Sequence, residues 1–467
     1  MDELNYLKNV SGDNYSTLSI NNKSKFINPY ENLKRGIWLY LLLLIFEGGL
    51  RKWVFPDLAT PLLLVRDPLA IWLLIIAWKR GVFVFNVYVV SIYIIAITAF
   101  FTAIFFGHGN FFVGIYGVRT LIVHFPLIFI IGNVFNYDDV LKIGKFIVWL
   151  TPPMTILLFL QFYSPQSSFV NRGVGGDVAG GGFSGALGFF RPPATFSFTN
   201  GTALFYSLSA CFIFYFWLGA KQYINKTLLI CATVALLISI PLSISRTLFF
   251  SILVTAFFIL IAMLRRKKYI LQVVIIVVLA VGSFAALSQL KLFQTATEAF
   301  TTRFSDASET EGGLQGTLQK RVIQTLIGPI ANSDQLPFWG YGIGMGTNVG
   351  SMLLTGKNQF LVSETEWGRL IGEMGILMGG CVILVRLILT GKIALASFRT
   401  ISTGELLPWI LTSYCIITLP QAQWAQPTAL GFSVFVAGLT VASIRIMKKT
   451  DTTLNKPQPI NSPAQIS

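Results

Sequence analysis

Charged residues are scarce in this sequence. Only 12% of its 467 residues are Asp, Glu, Lys or Arg, whereas soluble domains carry roughly 25%. A chain with so few charges cannot cover a water-facing surface, and this excludes a soluble globular fold. Apolar runs of about 18 or more residues recur along its whole length, which is the pattern of transmembrane helices. The sequence therefore predicts an all-α polytopic membrane protein with about twelve transmembrane helices.

Cysteine and histidine are also few, and their positions do not favour a metal site. The cysteines all fall inside apolar runs without a Cys-x-x-Cys spacing, so neither a disulfide framework nor a zinc site is indicated. They are Cys211, Cys231, Cys381 and Cys415. His108 and His124 lie far apart in the sequence, and Glu364-x-Glu366 is only a weak motif for a divalent cation. We expect no metal and no other cofactor.

Cations outnumber anions by 35 to 20, which gives a formal net charge of +15. A basic balance can signal nucleic-acid binding, but here the cations lie in short loops between apolar runs. That pattern fits the positive-inside rule and the attraction of cytoplasmic loops to anionic lipid. We therefore expect membrane lipid as a partner and no nucleic acid. Alternating the helices across the membrane places both termini in the cytoplasm and two long polar loops outside.

The runs and loops divide the chain into seven parts. They are a polar cytoplasmic tail (1–35), helices 1–5 (36–163), a glycine-rich outer loop (164–199), helices 6–9 (200–290), a large outer loop (291–367), helices 10–12 (368–447) and a second cytoplasmic tail (448–467). Arg51, Lys52 and Arg66 fall on the outer side against the positive-inside bias. Whether helix 2 crosses the membrane completely therefore stays open.

The large outer loop is the feature around which the chain is organised. It is about 77 residues long, far longer than an ordinary connection. Apolar residues at helical spacing near 318–327 predict short amphipathic helices within it. We interpret this loop as the roof of a site on the outer face of the membrane.

Three arginines near the predicted outer surface are candidate ligands for an anion. Arg191 precedes two prolines that fix the backbone, and Arg246 lies in a very short turn between helices 7 and 8. Arg321 lies on a predicted amphipathic helix of the large loop. A guanidinium suits phosphate because its planar fork binds two oxygens at once. The alternatives are interfacial anchors for Arg191 and Arg246 and a solvated cation for Arg321.

Carboxylates gather where the chain enters helix 10. Glu366, Arg369 and Glu373 are spaced by three and four residues and so share one helix face, and Glu364 lies just before them. Partial burial would raise a glutamate pKa towards neutrality, as a general base requires. Glu364 and Glu366 are therefore candidate catalytic residues, with Arg369 and Glu373 in support. The alternative is a structural ladder of ion pairs.

The order of these motifs resembles that of the bacterial O-antigen ligase and O-antigen polymerase superfamily. RPPATF at 191–196, followed by Phe-Thr-Asn before a helix, resembles the Arg…Thr-Phe…Asn stretch of that family, and SRT at 245–247 resembles its Ser-Arg turn. Arg321, followed by PFWGYGIG at 337–344, resembles its arginine helix and glycine-rich plug. Glu366, followed by EMGILMG at 373–379, resembles the family's entry to the next helix.

The resemblance implies a membrane glycosyltransferase that polymerises or transfers polyprenyl-diphosphate-linked oligosaccharides at the outer face of the bacterial cytoplasmic membrane. Arg191, Arg246 and Arg321 would hold the diphosphate, a glycan would be the acceptor, and other polysaccharide-assembly proteins would be partners. Ligases of the family often carry a histidine before helix 10, where this chain has Glu364 and Glu366, and this departure favours a polymerase. An O-antigen ligase remains one alternative, and a lipid-linked glycan flippase or other transporter is another.

Overall fold

The structure, a computed structural model, describes residues 30–219, 223–266, 270–287, 289–311, 325–331, 333–357 and 361–454. In these ranges the chain is almost entirely helical, and its one sheet is a two-stranded antiparallel hairpin. The predicted all-α fold is therefore confirmed. Arg321 lies outside the described residues.

The helices follow the apolar runs of the sequence closely. The first seven are α1 (Glu31–Gly49), α2 (Ala59–Leu62), α3 (Arg66–Lys79), α4 (Val87–Phe105), α5 (Phe111–Arg119), α6 (Leu127–Val134) and α7 (Tyr137–Tyr163). The π-helical turns Leu50–Val54 and Thr120–His124 continue α1 and α5. The hairpin strands β1 (Phe183–Ser184) and β2 (Phe190–Arg191) come next.

Ten further helices complete the described chain. They are α8 (Thr199–Leu218), α9 (Lys226–Leu242), α10 (Arg246–Arg265), α11 (Ile270–Leu287), α12 (Lys291–Glu311), α13 (Thr325–Ala331), α14 (Asn348–Thr355), α15 (Glu366–Thr403), α16 (Leu407–Gln421) and α17 (Pro427–Leu454). Several begin at a side-chain cap, as at Asn136, where a reciprocal pair of hydrogen bonds with Asp139 satisfies two backbone donors.

Eight helical stretches among the described residues are long and apolar enough to cross a membrane. They are Pro56–Lys79, Val87–Phe105, Phe111–Val134, Tyr137–Tyr163, Thr199–Leu218, Arg246–Arg265, Glu366–Thr403 and Pro427–Arg445. These stretches support a membrane-embedded protein. The other four predicted runs coincide with α1, α9, α11 and α16, so the count of about twelve crossings stays a prediction.

Three predicted boundaries differ from those of the structure. α1 begins at Glu31, inside the predicted N-terminal tail. Helix 10 begins at Glu366 because the Thr365 side chain accepts from Gly368 N, and it continues past a kink at Gly375 to Thr403. α17 continues to Leu454, inside the predicted C-terminal tail.

The central helix of the bundle is α8. Almost all of its residues are buried, and it packs against α7, α9, α10, α16 and α17. Side-chain hydroxyls join its neighbours, since Thr255 Oγ1 lies 2.9 Å from Ser413 Oγ. The loop after Arg191 runs directly into the start of α8. Arg191 is therefore placed where the most buried helix of the bundle begins.

The described parts of the large loop pack against the bundle. α12 lies on α9 and buries Phe293, Ala296 and Ala299 along one face. Further on, Tyr341 N donates to Gly372 O (2.8 Å) and Gly342 N donates to Glu373 O (2.9 Å). These contacts hold the glycine ladder (Gly340, Gly342, Gly344 and Gly346) on the first turns of α15.

Candidate anion-binding site

Arg191 is the residue around which the candidate site is built. It ends the short hairpin, paired with Phe183, and its side chain is half-buried. Its Nε is buried and has no hydrogen-bond partner among the described residues. A buried donor without an acceptor costs about 1–3 kcal/mol, and an anion bound beside Arg191 would supply that acceptor.

Arg246 approaches Arg191 from a second element. It is the first residue of α10, and the Ser245 side chain caps the helix by accepting from Leu248 N (3.3 Å). The start of a 20-residue helix carries partial positive charge from its backbone dipoles. The guanidinium and the helix end therefore both favour an anion at this position.

Arg303 is the third arginine of the site, and the sequence analysis did not find it. It follows Phe293, Ala296 and Ala299 at helical spacing on α12, and its Nη1 donates to Gly185 O (2.9 Å) in the hairpin turn. That spacing along the apolar stripe is the signal that could have identified Arg303 as facing the bundle.

An aromatic cluster fixes the two helices that carry Arg246 and Arg303. The Phe249 ring lies 6.0 Å from the Phe300 ring and 5.8 Å from the Phe304 ring, and Phe250 lies 5.9 Å from Phe304. Such edge-on and tilted contacts are favourable beyond the area they bury. The cluster thus sets the separation of α10 and α12 within one turn of the two arginines.

The three arginines act on one another electrostatically. Burial, together with the positive charges of Arg303 and Arg246, lowers the pKa of Arg191 from 12.5 to about 10. Among the side chains that the structure describes, no carboxylate forms an ion pair with Arg191 or Arg303. Arg191 and Arg303 therefore present positive charge with which a phosphate or diphosphate would pair.

Unusual backbone conformations surround the same three arginines. In the described chain, the non-glycine residues with positive φ are Leu187 (52°), Ala194 (51°) and Ile244 (45°). Leu187 lies in the hairpin turn, and the other two lie beside Arg191 and Arg246. Residues held in such conformations cost of order 1–3 kcal/mol each and cluster at functional sites. This clustering is a further reason to treat the hairpin and the turn before α10 as parts of the candidate site.

The glutamates at the start of α15 have a different environment. Glu366 is buried, and its two oxygens accept from Arg369 Nε (3.0 Å), Arg369 Nη2 (2.9 Å), Arg386 Nη1 (2.6 Å) and Trp424 N (3.0 Å). Glu373 accepts from Arg369 Nη1 (2.6 Å). The predicted shared face is thus confirmed, and the saturated oxygens of Glu366 favour the ion-pair ladder over a catalytic base.

Glu364 lies outside this ladder. Its side chain is exposed, and it precedes the capping residue Thr365 by one position. Arg386 is a further member of the ion-pair ladder, and the sequence analysis missed it. Its signal was an arginine deep in an apolar run, which is expensive in a membrane unless it is paired.

A second buried polar cluster lies among the N-terminal helices. Arg66 Nε donates to Glu47 (2.9 Å), and Asp67 accepts from Arg119 (2.6 Å) and contacts His124 Nε2 (2.9 Å). These ion pairs offset the cost of placing charge among apolar helices. The cluster explains why the second apolar run tolerates charges at its start.

No protein-family model, curated protein or solved structure matches the chain. The resemblance to O-antigen ligases and polymerases therefore rests on the sequence motifs alone. The fold adds the juxtaposition of Arg191, Arg246 and Arg303, which no sequence motif contains.

Proposed function

We propose that this chain is a membrane glycosyltransferase. In this proposal it polymerises or transfers oligosaccharides that are linked to undecaprenyl diphosphate or a similar polyprenyl diphosphate. Its site faces outward from the bacterial cytoplasmic membrane. The motifs that resemble O-antigen polymerases and ligases support the reaction, and the apolar helices support the location of the substrate.

The observation that carries the proposal is the meeting of Arg191, Arg246 and Arg303. Three guanidinium groups gather at one end of an apolar bundle, and the buried Nε of Arg191 has no acceptor in the described chain. A lipid-linked diphosphate has the matching chemistry, since its anionic head would lie against the arginines while its chain stays among apolar helices.

The three arginines would act on the leaving group. Cleavage of the bond between the sugar and the diphosphate leaves negative charge on phosphate oxygens, and fixed cations stabilise that charge as it develops. The acceptor hydroxyl must also lose a proton. We assign this role to the exposed Glu364 rather than to Glu366, because Arg369, Arg386 and Trp424 N already occupy the oxygens of Glu366.

The direct test measures binding of undecaprenyl diphosphate to the purified protein. Arg191→Ala and Arg303→Ala should each weaken binding by about tenfold or more, because each removes a charge-assisted contact. Arg191→Lys should lie between wild type and Arg191→Ala, since lysine keeps the charge but loses the planar fork. The matched control is Arg35→Ala, which changes an arginine whose side chain is 75% exposed. Equal affinity in all four variants would contradict the proposal.

A lipid-linked glycan flippase is the second candidate, and the buried cluster around Asp67 and His124 favours it. Charged residues among membrane helices often mark transport pathways. Purified protein in detergent separates the two functions, because no barrier remains to be crossed. Formation of longer glycans when the protein is incubated with lipid-linked repeat units would indicate a polymerase. Transfer of the glycan to a different acceptor would indicate a ligase. No transfer in detergent, together with translocation in vesicles, would favour the flippase.

A further inference from the structure

Lys52 is a buried lysine beside the turn that follows Arg191. Lys52 is only 1% exposed. Its Nζ donates to Ala194 O (2.5 Å) and to Phe196 O (3.0 Å). It also lies 4.4 Å from the centre of the Trp53 ring. Among the side chains that the structure describes, no carboxylate forms an ion pair with Lys52. Its partners are thus the backbone carbonyls of one short turn.

That turn holds a strained residue. Ala194 has φ of 51°, a left-handed conformation that side chains other than glycine seldom adopt. The Gln161 side chain bonds to both backbone groups of Ala194. Ala194 N donates to Gln161 Oε1 (2.7 Å), and Gln161 Nε2 donates to Ala194 O (3.2 Å). Lys52 and Gln161 together therefore stabilise a backbone conformation that would otherwise relax.

The turn is also pressed against the end of α1. Thr195 Oγ1 donates to Ile45 O (2.7 Å). A Cβ added at Gly48 would lie 2.5 Å from Thr195 O and 2.4 Å from Ser197 N, so only glycine permits this approach. The end of α1 and the turn after Arg191 are thus packed as one unit.

The position of Arg191 depends on this unit. Only Pro192 and Pro193 separate Arg191 from Ala194. Because the φ angle of each proline is fixed, a shift of the backbone at Ala194 moves Arg191 as well. We propose that Lys52, together with Gln161, is a positioning residue that directs Arg191 towards Arg246 and Arg303. This assignment rests on the proposed function for its purpose, but the geometry it describes can be tested without any substrate.

The test uses a thiol in place of the arginine. In a background of Cys231→Ser and Cys381→Ser, which removes the two exposed cysteines, Arg191→Cys is reacted with an anionic and a cationic methanethiosulfonate reagent. A thiol held near Arg246 and Arg303 should react about tenfold faster with the anionic reagent, because the local potential concentrates anions. The ratio of the two rates reports the position of residue 191.

Three further variants decide the outcome. Lys52→Met should lower the ratio several-fold, and so should Gln161→Leu, which changes no charge and therefore excludes a purely electrostatic effect of Lys52. Ala194→Gly added to Lys52→Met should restore most of the ratio, because glycine adopts the left-handed conformation without strain. Lys79→Met, at an exposed lysine, is the matched control.

The result that would overturn the proposal is equally concrete. An unchanged ratio in folded Gln161→Leu and folded Lys52→Met proteins would show that the turn does not set the position of residue 191. A ratio near one in the parent Arg191→Cys protein would have the same meaning. If the ratio falls as expected while Arg191→Ala binds undecaprenyl diphosphate normally, the positioning role stands and the proposed function fails.

Discussion

Two cations of this protein, the buried Lys52 and the half-buried Arg191, have no carboxylate partner among the described side chains. The two cations differ in the contacts that they make. Every contact of the Lys52 ammonium is made within the protein, so it is a structural group, whereas the Nε of Arg191 has no acceptor in the described chain. A desolvated cation disfavours its charged state. The fold therefore carries a cost at both residues, and Lys52 makes that cost measurable through pH.

We predict that thermal stability rises with pH above about 7 because of Lys52. Burial lowers the pKa of Lys52 from 10.5 to about 7. Between these two values the unfolded chain binds the proton and the folded chain does not, so the free energy of unfolding increases with pH in this window. The stabilisation is lost as pH falls through about 7. Thermal unfolding of the detergent-solubilised protein from pH 6 to 9 measures it.

Lys52→Met should remove this part of the pH dependence and leave the rest. Lys79→Met should show the same slope as wild type, since that lysine is exposed. Parallel curves for wild type and Lys52→Met would show that Lys52 keeps an ordinary pKa in the folded protein.

Glu364 and Glu366 are two positions apart, and we predict that substituting them affects different properties of the protein. Glu366→Gln leaves the buried Arg369 and Arg386 without full compensation, and breaking such a pair costs about 3–5 kcal/mol. It should lower the unfolding temperature by several degrees. Glu364→Gln should leave that temperature unchanged and slow glycan transfer. Unfolding temperature and transfer rate, measured on both variants, check the prediction, and a stable but inactive Glu366→Gln would restore Glu366 as the base.

The sequence was informative about those arginines whose local setting is unusual. Arg191 precedes two prolines, and Arg246 interrupts two apolar runs, so both could be found without coordinates. Arg303 lies in a polar loop where an arginine is ordinary, and only the packing of its helix brings it to the site. The pairing of Glu366 with Arg386 spans 20 residues of one helix, and the kink at Gly375 makes such a contact invisible to helical periodicity.

At the scale of elements, α12 is the described part of the large loop that brings an arginine to the candidate site. Its apolar face lies on α9, and Phe300 and Phe304 extend that face to the start of α10. The glycine ladder at the other end of the loop packs on α15 instead. Within the described part of the loop, α12 and the glycine ladder thus attach to different parts of the bundle, and α12 carries Arg303.

We predict that Phe304→Ala weakens the binding of undecaprenyl diphosphate several-fold. Loss of the ring removes contacts to Phe249, Phe250 and Phe300, each worth about 0.5–1.5 kcal/mol beyond its buried area. Without them α12 can shift on α10, and Arg303 moves with it. Phe112→Ala, at an exposed ring, is the control. Unchanged affinity in Phe304→Ala would show that α12 holds its place without this cluster.

At the scale of the whole molecule, the polar features are distributed unevenly. The candidate site and the turn beside Lys52 lie where α8 and α10 begin, and the ion-pair ladder lies where α15 begins. The apolar runs made the helical class predictable, because their length alone requires helices in lipid. They could not show which loops meet, since contacts such as that between Gly117 and Gly344 join segments more than 200 residues apart.

The orientation of the whole protein is the last prediction. The positive-inside rule places the site end outside the cytoplasm. Ser184 lies in the hairpin beside Arg191, whereas Ser402 lies 27 residues beyond the kink at Gly375, a distance of about 40 Å along a helix. In the Cys231→Ser, Cys381→Ser background, Ser184→Cys should react with an impermeant maleimide on intact cells, and Ser402→Cys should react only after lysis. Both serines are exposed, so access to the reagent depends on the side of the membrane. The reverse pattern would place the three arginines in the cytoplasm, where an outward-facing polymerase could not use them.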